Sequence, residues 1–386
     1  TADAYMFANM LTVLAIVLTK KYKAIGVVIG SIIFYLSVGI YQANLPLFLT
    51  VVTVWIIKEL LFAKTNFQQL LRTTFRFITT AVGGLILYAI TFKWYERTTG
   101  GRVTNYQGLD SIGVQNVSFS DQLIKLQESI QHFFFRGFYL NYLEPTFFER
   151  INVALLILLL GFLSLLVFQN KLYKQWWRIL LLPICLCLLP IFSYILYFVS
   201  PGVFYHMLMV MSIVSIYLLP VIIYDHLHLS TIINKIYSWG TVVLLFLTIF
   251  NFAIIANIAY LNMTLKYEKS YAAVNRVLDR IEQMDGYENV TKLAIVGKIP
   301  LKSEFATRTV PYRIPAMIGA LDETFLKANY HYQYMFANYF GVTLDLVEGE
   351  DLQEITNSTL FTEMEVWPLP NSVSIIDDTV IVKLSE

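Results

Sequence analysis

Charge and cysteine are both scarce in this 386-residue chain. Only 14% of its residues are charged, against about 25% in a typical soluble domain. That shortfall, beside a 57% hydrophobic content, excludes an ordinary soluble fold. The two cysteines, Cys185 and Cys187, lie in one apolar run. Two positions apart on a helix, they project about 200° from each other and cannot bridge. A disulfide scaffold is excluded, and both are read as packing residues. His132, His206, His226, His228 and His331 are scattered without metal-ligand spacing, so no metal or other cofactor is expected. No glycine-rich phosphate loop is present, because Gly297 stands alone after a β-like run. A cleavable signal pattern is missing as well.

The net charge of +1 is a balance of two unlike parts. Up to Asn262 there are 17 Lys/Arg against 9 Asp/Glu, and from Met263 onward 11 against 18. A basic first part and an acidic tail point to two compartments rather than to nucleic acid.

What the chain has in abundance is long apolar runs. A membrane helix needs about 20 predominantly apolar residues, and eight runs approach that length. They are 4–19, 25–41, 45–62, 74–93, 151–169, 178–199, 204–224 and 237–261. Lys/Arg bias orients them. The exits of runs 1, 3, 5 and 7 carry Lys20, Lys21 and Lys23, then Lys58, Lys64, Arg72 and Arg76, then Lys171, Lys174 and Arg178, then Lys235. The links 41–45 and 200–203 carry no charge, and the long interruption 91–150 holds six basic and six acidic residues. This alternation predicts that Thr1, the 91–150 segment and the C-terminal tail lie outside the cytoplasm.

Residues 263–386 are a different material. Val274, Val277, Leu278 and Ile281 recur at helical spacing within 266–284, and Asp285-Gly286 ends the pattern. That helix either continues the last span outward or is a plain linker. Short β-like runs follow at 292–296, 342–347 and 379–383. A small α/β domain of about 120 residues is expected.

Ionisable and polar residues beside a membrane bundle are the functional candidates. On the outer side they are Asp3, Tyr41, Gln42, Asn44, Arg97, Arg102, Arg136, Glu144, Glu149, Arg150, Tyr205 and His206. A carboxylate can deprotonate an attacking hydroxyl while a guanidinium holds a departing phosphate. Aromatic rings suit a sugar face or a lipid interface. Plainer readings stand beside these. Asp3 also suits a helix N-terminus, His206 an interfacial hydrogen bond, and the 132–142 aromatics an interfacial belt.

Three stretches carry a resemblance. Residues Ala2 to Ala8 (Ala-Asp-Ala-Tyr-Met-Phe-Ala), Gly39-Ile40-Tyr41-Gln42-Ala43, and the tail from Val366 (Val-Trp-Pro-Leu-Pro-Asn-Ser-Val) to Val380-Ile-Val-Lys-Leu384 together resemble the bacterial serotype-converting glucosyltransferases, of the GT-C superfamily. The resemblance implies a mainly α fold: a GT-C-like bundle of about eight spans over 1–262, outer loop 91–150 included, with an extracytoplasmic α/β domain at 263–386. It implies an inverting enzyme of the bacterial cytoplasmic membrane that takes a sugar, glucose first among them, from a polyprenyl-phosphate carrier. The Ile/Tyr/Phe/Lys-rich composition looks more like that of a low-GC Gram-positive bacterium, so the expected acceptor is a cell-surface or wall polysaccharide or a teichoic acid rather than an O-antigen. In that family an acidic pair in the first outward loop is the expected base, and it precedes the matched region. The expectation is therefore that further spans precede Thr1, leaving Asp3 and Glu144 as secondary catalytic candidates. Arg97, Arg102 and Arg136 are expected to hold phosphate, and Tyr41, Gln42, Tyr205 and His206 to line the donor site. The alternatives are a flippase of lipid-linked sugar, which would want polar residues at mid-depth, and a structural assembly factor.

Overall fold

The computed structural model of the protein describes residues 2–63, 65–100, 118–134, 149–200, 202–203, 209, 211–226, 231–299 and 325–385. They form two compact units, Thr1–Phe252 and Ala253–Glu386.

The first unit is helical. It opens with α1 (Ala2–Lys21), α2 (Lys23–Ile40), α3 (Asn44–Phe62) and α4 (Phe67–Thr99). Asp3 begins α1 and Lys20 and Lys21 end it, the arrangement a helix dipole favours. The fourth apolar run gives a helix longer than its apolar core. Asn66 accepts from the Gln69 backbone at 2.9 Å while the Gln69 side chain reaches back to the Asn66 amide, a capping box that fixes the start. Gly100, in the left-handed region at φ 62°, closes the other end.

Next come α5 (Phe119–Phe134), α6 (Glu149–Gln169), α7 (Trp176–Ser193), α8 (Leu196–Val199), α9 (Met211–Val214) and α10 (Leu218–Asp225). A single helix, α11, runs over Ile232–Glu282, so the expected outward continuation of the last apolar run is helical. Among the described residues, six helices are long and apolar enough to cross a membrane: α1, α2, α3, α4, α7 and α11. Six of the eight expected spans thus have a helix of that length and apolarity among the described residues. The apolar helix Val153–Gln169 is shorter, and Met211–Asp225 is interrupted by a 3-10 turn at Ser215–Tyr217. The run at 178–199 also breaks, with α7 ending at Ser193 soon after Pro190, whose ring removes a helical hydrogen bond. The protein is membrane-embedded. Its long helices keep wide apolar faces outward, as Ile25, Val28 and Ile32 of α2 do, which a water-facing helix would not.

Between α1, α2 and α4, small and polar contacts accompany an apolar cluster that includes Ile16, Phe34 and Phe77. Lipid gives helices no hydrophobic reason to associate, so close packing and interhelical hydrogen bonds must hold them. Ser37 Oγ donates to the Ala8 carbonyl at 2.7 Å and accepts from Asn44 Nδ2 at 2.8 Å, with Thr12 Oγ1 2.7 Å away. Thr19 Oγ1 lies 3.0 Å from Thr80 Oγ1. A Cβ on Gly30 would overlap Thr19 Oγ1, and one on Gly84 would come within 2.8 Å of Phe34 Cδ1. Glycine is required there by proximity.

The second unit holds a four-stranded sheet in the order β2-β1-β4-β3. The strands are β1 (Lys292–Val296), β2 (Asp345–Leu346), β3 (Val373–Ile376) and β4 (Thr379–Lys383). β1 is parallel to β2 and β4, pairing Lys292 with Thr379 through Val296 with Lys383, and β3 is antiparallel to β4. Alternate residues face opposite ways, and both faces are covered. Leu293, Ile295, Val380 and Val382 pack with Val274, Val277 and Ile281 of α11 and with Tyr332 and Phe336. Ala294 and Ile381 pack with Phe361 and Met364 on the other side. Tyr332 belongs to α12 (Asn329–Met335), and two further helices, α13 (Gly349–Thr356) and α14 (Thr359–Glu363), complete the unit. Burial raises the Tyr332 phenol to about 12.

Candidate functional site

The link between α2 and α3 places the first group of candidates. α2 ends at Tyr41, whose backbone turns extended at φ −153°, and Asn44 opens α3 by reaching back to Ser37. That turn presents Tyr41 and Gln42, both half-buried, at the charge-poor end of the bundle. The Tyr41 ring meets Tyr5 of α1 edge-on at 4.7 Å between centroids. Gln42 Nε2 donates to the Tyr88 hydroxyl of α4 at 2.7 Å, and Tyr88 stacks on Phe92 at 5.9 Å. The link after α2 is thereby tied to α1 through Tyr41 and to α4 through Gln42. Aromatic faces with hydrogen-bonding edges are suited to a sugar ring or to a lipid headgroup boundary.

α5 lies within the long interruption at 91–150, so that stretch is not merely a loop. α4 extends into it to Thr99, α5 occupies its middle, and α6 begins at Glu149. Leu126 of α5 is buried in the same apolar cluster that Tyr41 packs against. Ser129 Oγ lies 2.9 Å from the Tyr197 hydroxyl, and Tyr194 donates to the Ser129 carbonyl at 3.3 Å. Phe119 meets Phe198 at 5.9 Å.

The other predicted residues divide into two sets. Asp3 sits exposed in the first turn of α1, two positions before Tyr5. Arg97 sits exposed in the last turn of α4, nine residues and so about 14 Å along the axis from Tyr88. Tyr41 and Gln42 are therefore grouped with Tyr5 and Tyr88, while Arg97 is apart from them. Arg102, Arg136, Glu144, Tyr205 and His206 lie outside the described residues.

Two members of the cluster were not singled out from the sequence. Tyr5 lies inside the first quoted stretch and carried no role of its own. Tyr88 sits 46 residues from Gln42, in an apolar run that offers no local signal for it.

A cavity of about 740 Å³ lies at the opposite end of these helices, lined among others by Phe62, Asn66, Gln169, Gln175, Arg178 and His226. From Asn44 to Phe62, α3 alone separates the two ends by about 27 Å, so the cavity does not contain the aromatic cluster. Arg178, only 5% exposed, is committed to structure there. Its guanidinium donates to the carbonyls of Leu60, Ala63 and Thr65 at 2.7–2.9 Å. These are carbonyls at and just past the end of α3, which a helix leaves without intrahelical partners.

Among models of protein families, one described as glucosyl transferase GtrII matches residues 1–224, well over half of the chain and all of α1 to α9. No curated protein and no solved structure matches the chain. The matched region contains the Tyr41-Gln42 turn, Tyr5 and Tyr88, in a bundle of membrane helices. The chain is a membrane glycosyltransferase and belongs to the glucosyl transferase GtrII family.

Proposed function

We propose that this glycosyltransferase moves a sugar, glucose as the family description implies, from a polyprenyl-phosphate carrier to a surface polysaccharide or teichoic acid. The reaction takes place on the outer face of the bacterial cytoplasmic membrane, and the bundle has the GT-C architecture. What supports the reading most is the Tyr5, Tyr41, Gln42 and Tyr88 cluster. It sits at the end of the bundle whose links lack the Lys/Arg excess, the end that the positive-inside bias directs outward.

In this scheme the acceptor hydroxyl loses its proton to a carboxylate, with Asp3 and Glu144 as the candidates in this chain. Its oxygen attacks the anomeric carbon from the face opposite the phosphate. The carbon–oxygen bond to phosphate breaks, inverting the centre and releasing polyprenyl phosphate. Arg97, Arg102 or Arg136 neutralises the charge that builds on the leaving phosphate. Tyr41 and Gln42, with Tyr205 and His206, orient the sugar. Residues 263–386 form the extracytoplasmic domain. No step requires a metal.

The test is transfer of radiolabelled glucose from polyprenyl-phosphate-glucose to acceptor polymer, using the full chain in membranes. Gln42→Ala is expected to lower transfer at least tenfold, by analogy with the removal of one positioned hydrogen-bond donor, which costs about 10²-fold or more in other enzymes. Arg102→Ala and Arg136→Ala are expected to do the same through phosphate binding. Transfer indifferent to all three would remove this site. Movement of lipid-linked sugar across vesicles without transfer would replace the enzyme reading with a flippase.

A further inference from the structure

The second unit carries an exposed aromatic surface that the transfer chemistry does not use. α12 is followed by a π-helical turn, Phe336–Phe340, and the two present one face inward and one outward. Tyr332, Met335 and Phe336 are buried in the domain core, while Tyr330, Tyr334 and Tyr339 are 57%, 62% and 49% exposed. Tyr330 and Tyr334 are four residues apart, about 6 Å along one helix face. The π turn that follows carries Tyr339, five residues after Tyr334. Tyr267 and Tyr271 of α11 flank it. Tyr339 lies 5.8 and 6.2 Å from them, and Phe340 stacks on Tyr271 at 5.1 Å. Partial desolvation and a hydrogen bond with Tyr339 raise the Tyr267 phenol above its ordinary value.

Three properties of this surface restrict its occupant. It is a row of rigid rings with hydroxyl edges, spaced by about one helical turn, roughly the advance of one sugar unit along a polymer. Between Asn329 and Phe340 there is no Lys, Arg, Asp or Glu, and beside it Glu268 and Lys269, of opposite sign, lie between Tyr267 and Tyr271, so the surface has no net charge to attract a charged ligand. The chain from Met263 onward has 11 Lys/Arg against 18 Asp/Glu, a field that repels phosphate polymers and anionic lipid alike.

We infer that the Tyr330, Tyr334 and Tyr339 row, with Tyr267 and Tyr271 beside it, is a docking platform for a neutral linear glycan, the acceptor strand. This rests on the reading that the acceptor is a surface polymer, and it selects an uncharged polysaccharide over teichoic acid. The rings stack on the apolar faces of successive sugars, and the phenol hydroxyls bond their equatorial hydroxyls. Tyrosine provides such contact area at small conformational-entropy cost.

The experiment measures binding to the full chain in neutral-lipid nanodiscs. The probes are maltohexaose, cellohexaose and a rhamnose hexasaccharide, with poly(glycerol phosphate) as the charged polymer. At least one neutral hexasaccharide is expected to bind, and poly(glycerol phosphate) is not. Tyr330→Ala with Tyr334→Ala should weaken that binding about tenfold, the sum of two lost aromatic contacts, while Tyr334→Phe stays within a few-fold. Binding of none of the neutral probes, or binding unmoved by the double variant, overturns the platform. Preferential binding of poly(glycerol phosphate) overturns the choice of a neutral strand. Transfer from polyprenyl-phosphate-glucose is scored in the same preparations. Absent transfer with intact glycan binding removes the donor reading and leaves the platform, whereas intact transfer without glycan binding removes the platform alone.

Discussion

Helices α1, α2 and α4 meet through Thr12, Thr19, Ser37, Thr80, Gly30 and Gly84. The sheet domain is filled instead by Leu293, Ile295, Val380 and Val382, each with no exposed surface. α2 divides its large apolar residues, with Phe34 and Val38 buried in the bundle and Ile25 and Val28 outward at 68% and 62% exposure. The difference follows from solvent. In water, burying a large aliphatic side chain contributes about 1.5–3 kcal/mol, so the sheet domain places its aliphatics inside. In lipid that gain vanishes, and the helices adhere through close backbone approach and hydroxyl bonds. Hydrophobic residues thus fill the interior of both units, and in the first they form a wide outer coat as well.

The contrast can be broken at one residue type. Ile295→Ala should destabilise the sheet domain by about 4 kcal/mol through lost burial and a residual cavity. Ile32→Ala, on the exposed face of α2, should leave the bundle within about 0.5 kcal/mol of wild type. Thermal unfolding in detergent, followed by proteolysis of each unit, distinguishes them. Equal losses at both sites would mean that α2 is packed against protein at that face.

A smaller effect sharpens the membrane side of the comparison. Gly30→Val must push Thr19 away, breaking its hydrogen bond with Thr80, and overpacking of this kind costs about 2 kcal/mol. The expected readout is a lower midpoint of unfolding for the bundle with the sheet domain unchanged. A variant as stable as wild type would show that α1, α2 and α4 are less tightly apposed.

The smallest effect is on the sheet domain and depends on pH. Hydrogen bonds from Lys292 and Thr291 hold the Asp378 carboxyl below the usual carboxylate range, with Lys292 Nζ 3.1 Å from Asp378 Oδ2. A depressed folded pKa contributes stability that is present above the unfolded pKa. It is lost as pH falls through the folded value. The midpoint of the domain should therefore drop on acidification below pH about 4, and Asp378→Asn should flatten that part of the profile. An unchanged acid limb in the variant would assign the acid sensitivity to other carboxylates.

The candidate site was legible only in part. Tyr41 and Gln42 could be found because they interrupt two apolar runs with no charge between them. Tyr88 could not, since its only distinguishing feature is the partner it meets across the bundle. Helix α5 was also missed: its Leu126 and Ile130 fall in a stretch whose charges and polar neighbours obscured the 3.6-residue pattern, and its partners Tyr194 and Tyr197 are about 65 residues away. The start of α4 was legible in principle, because Asn66 and Gln69 spell a capping box. β1 and β4 were readable from unbroken aliphatic runs, whereas β3 (Val-Ser-Ile-Ile) is short and owes its strand to pairing with β4.

The sequence by itself determined a membrane-embedded helical protein with an acidic α/β tail. Those conclusions depend on composition, run length and the sign of charge at each exit, all of them local quantities. Only the tertiary structure decided that Gln42 meets Tyr88 and that Arg178 closes the end of α3. It also decided that a 3-10 turn at Ser215–Tyr217 interrupts Met211–Asp225 and that Tyr339 meets Tyr267 and Tyr271. Each of these depends on a contact between distant residues or on a local change of helical pitch, which run length and charge do not encode.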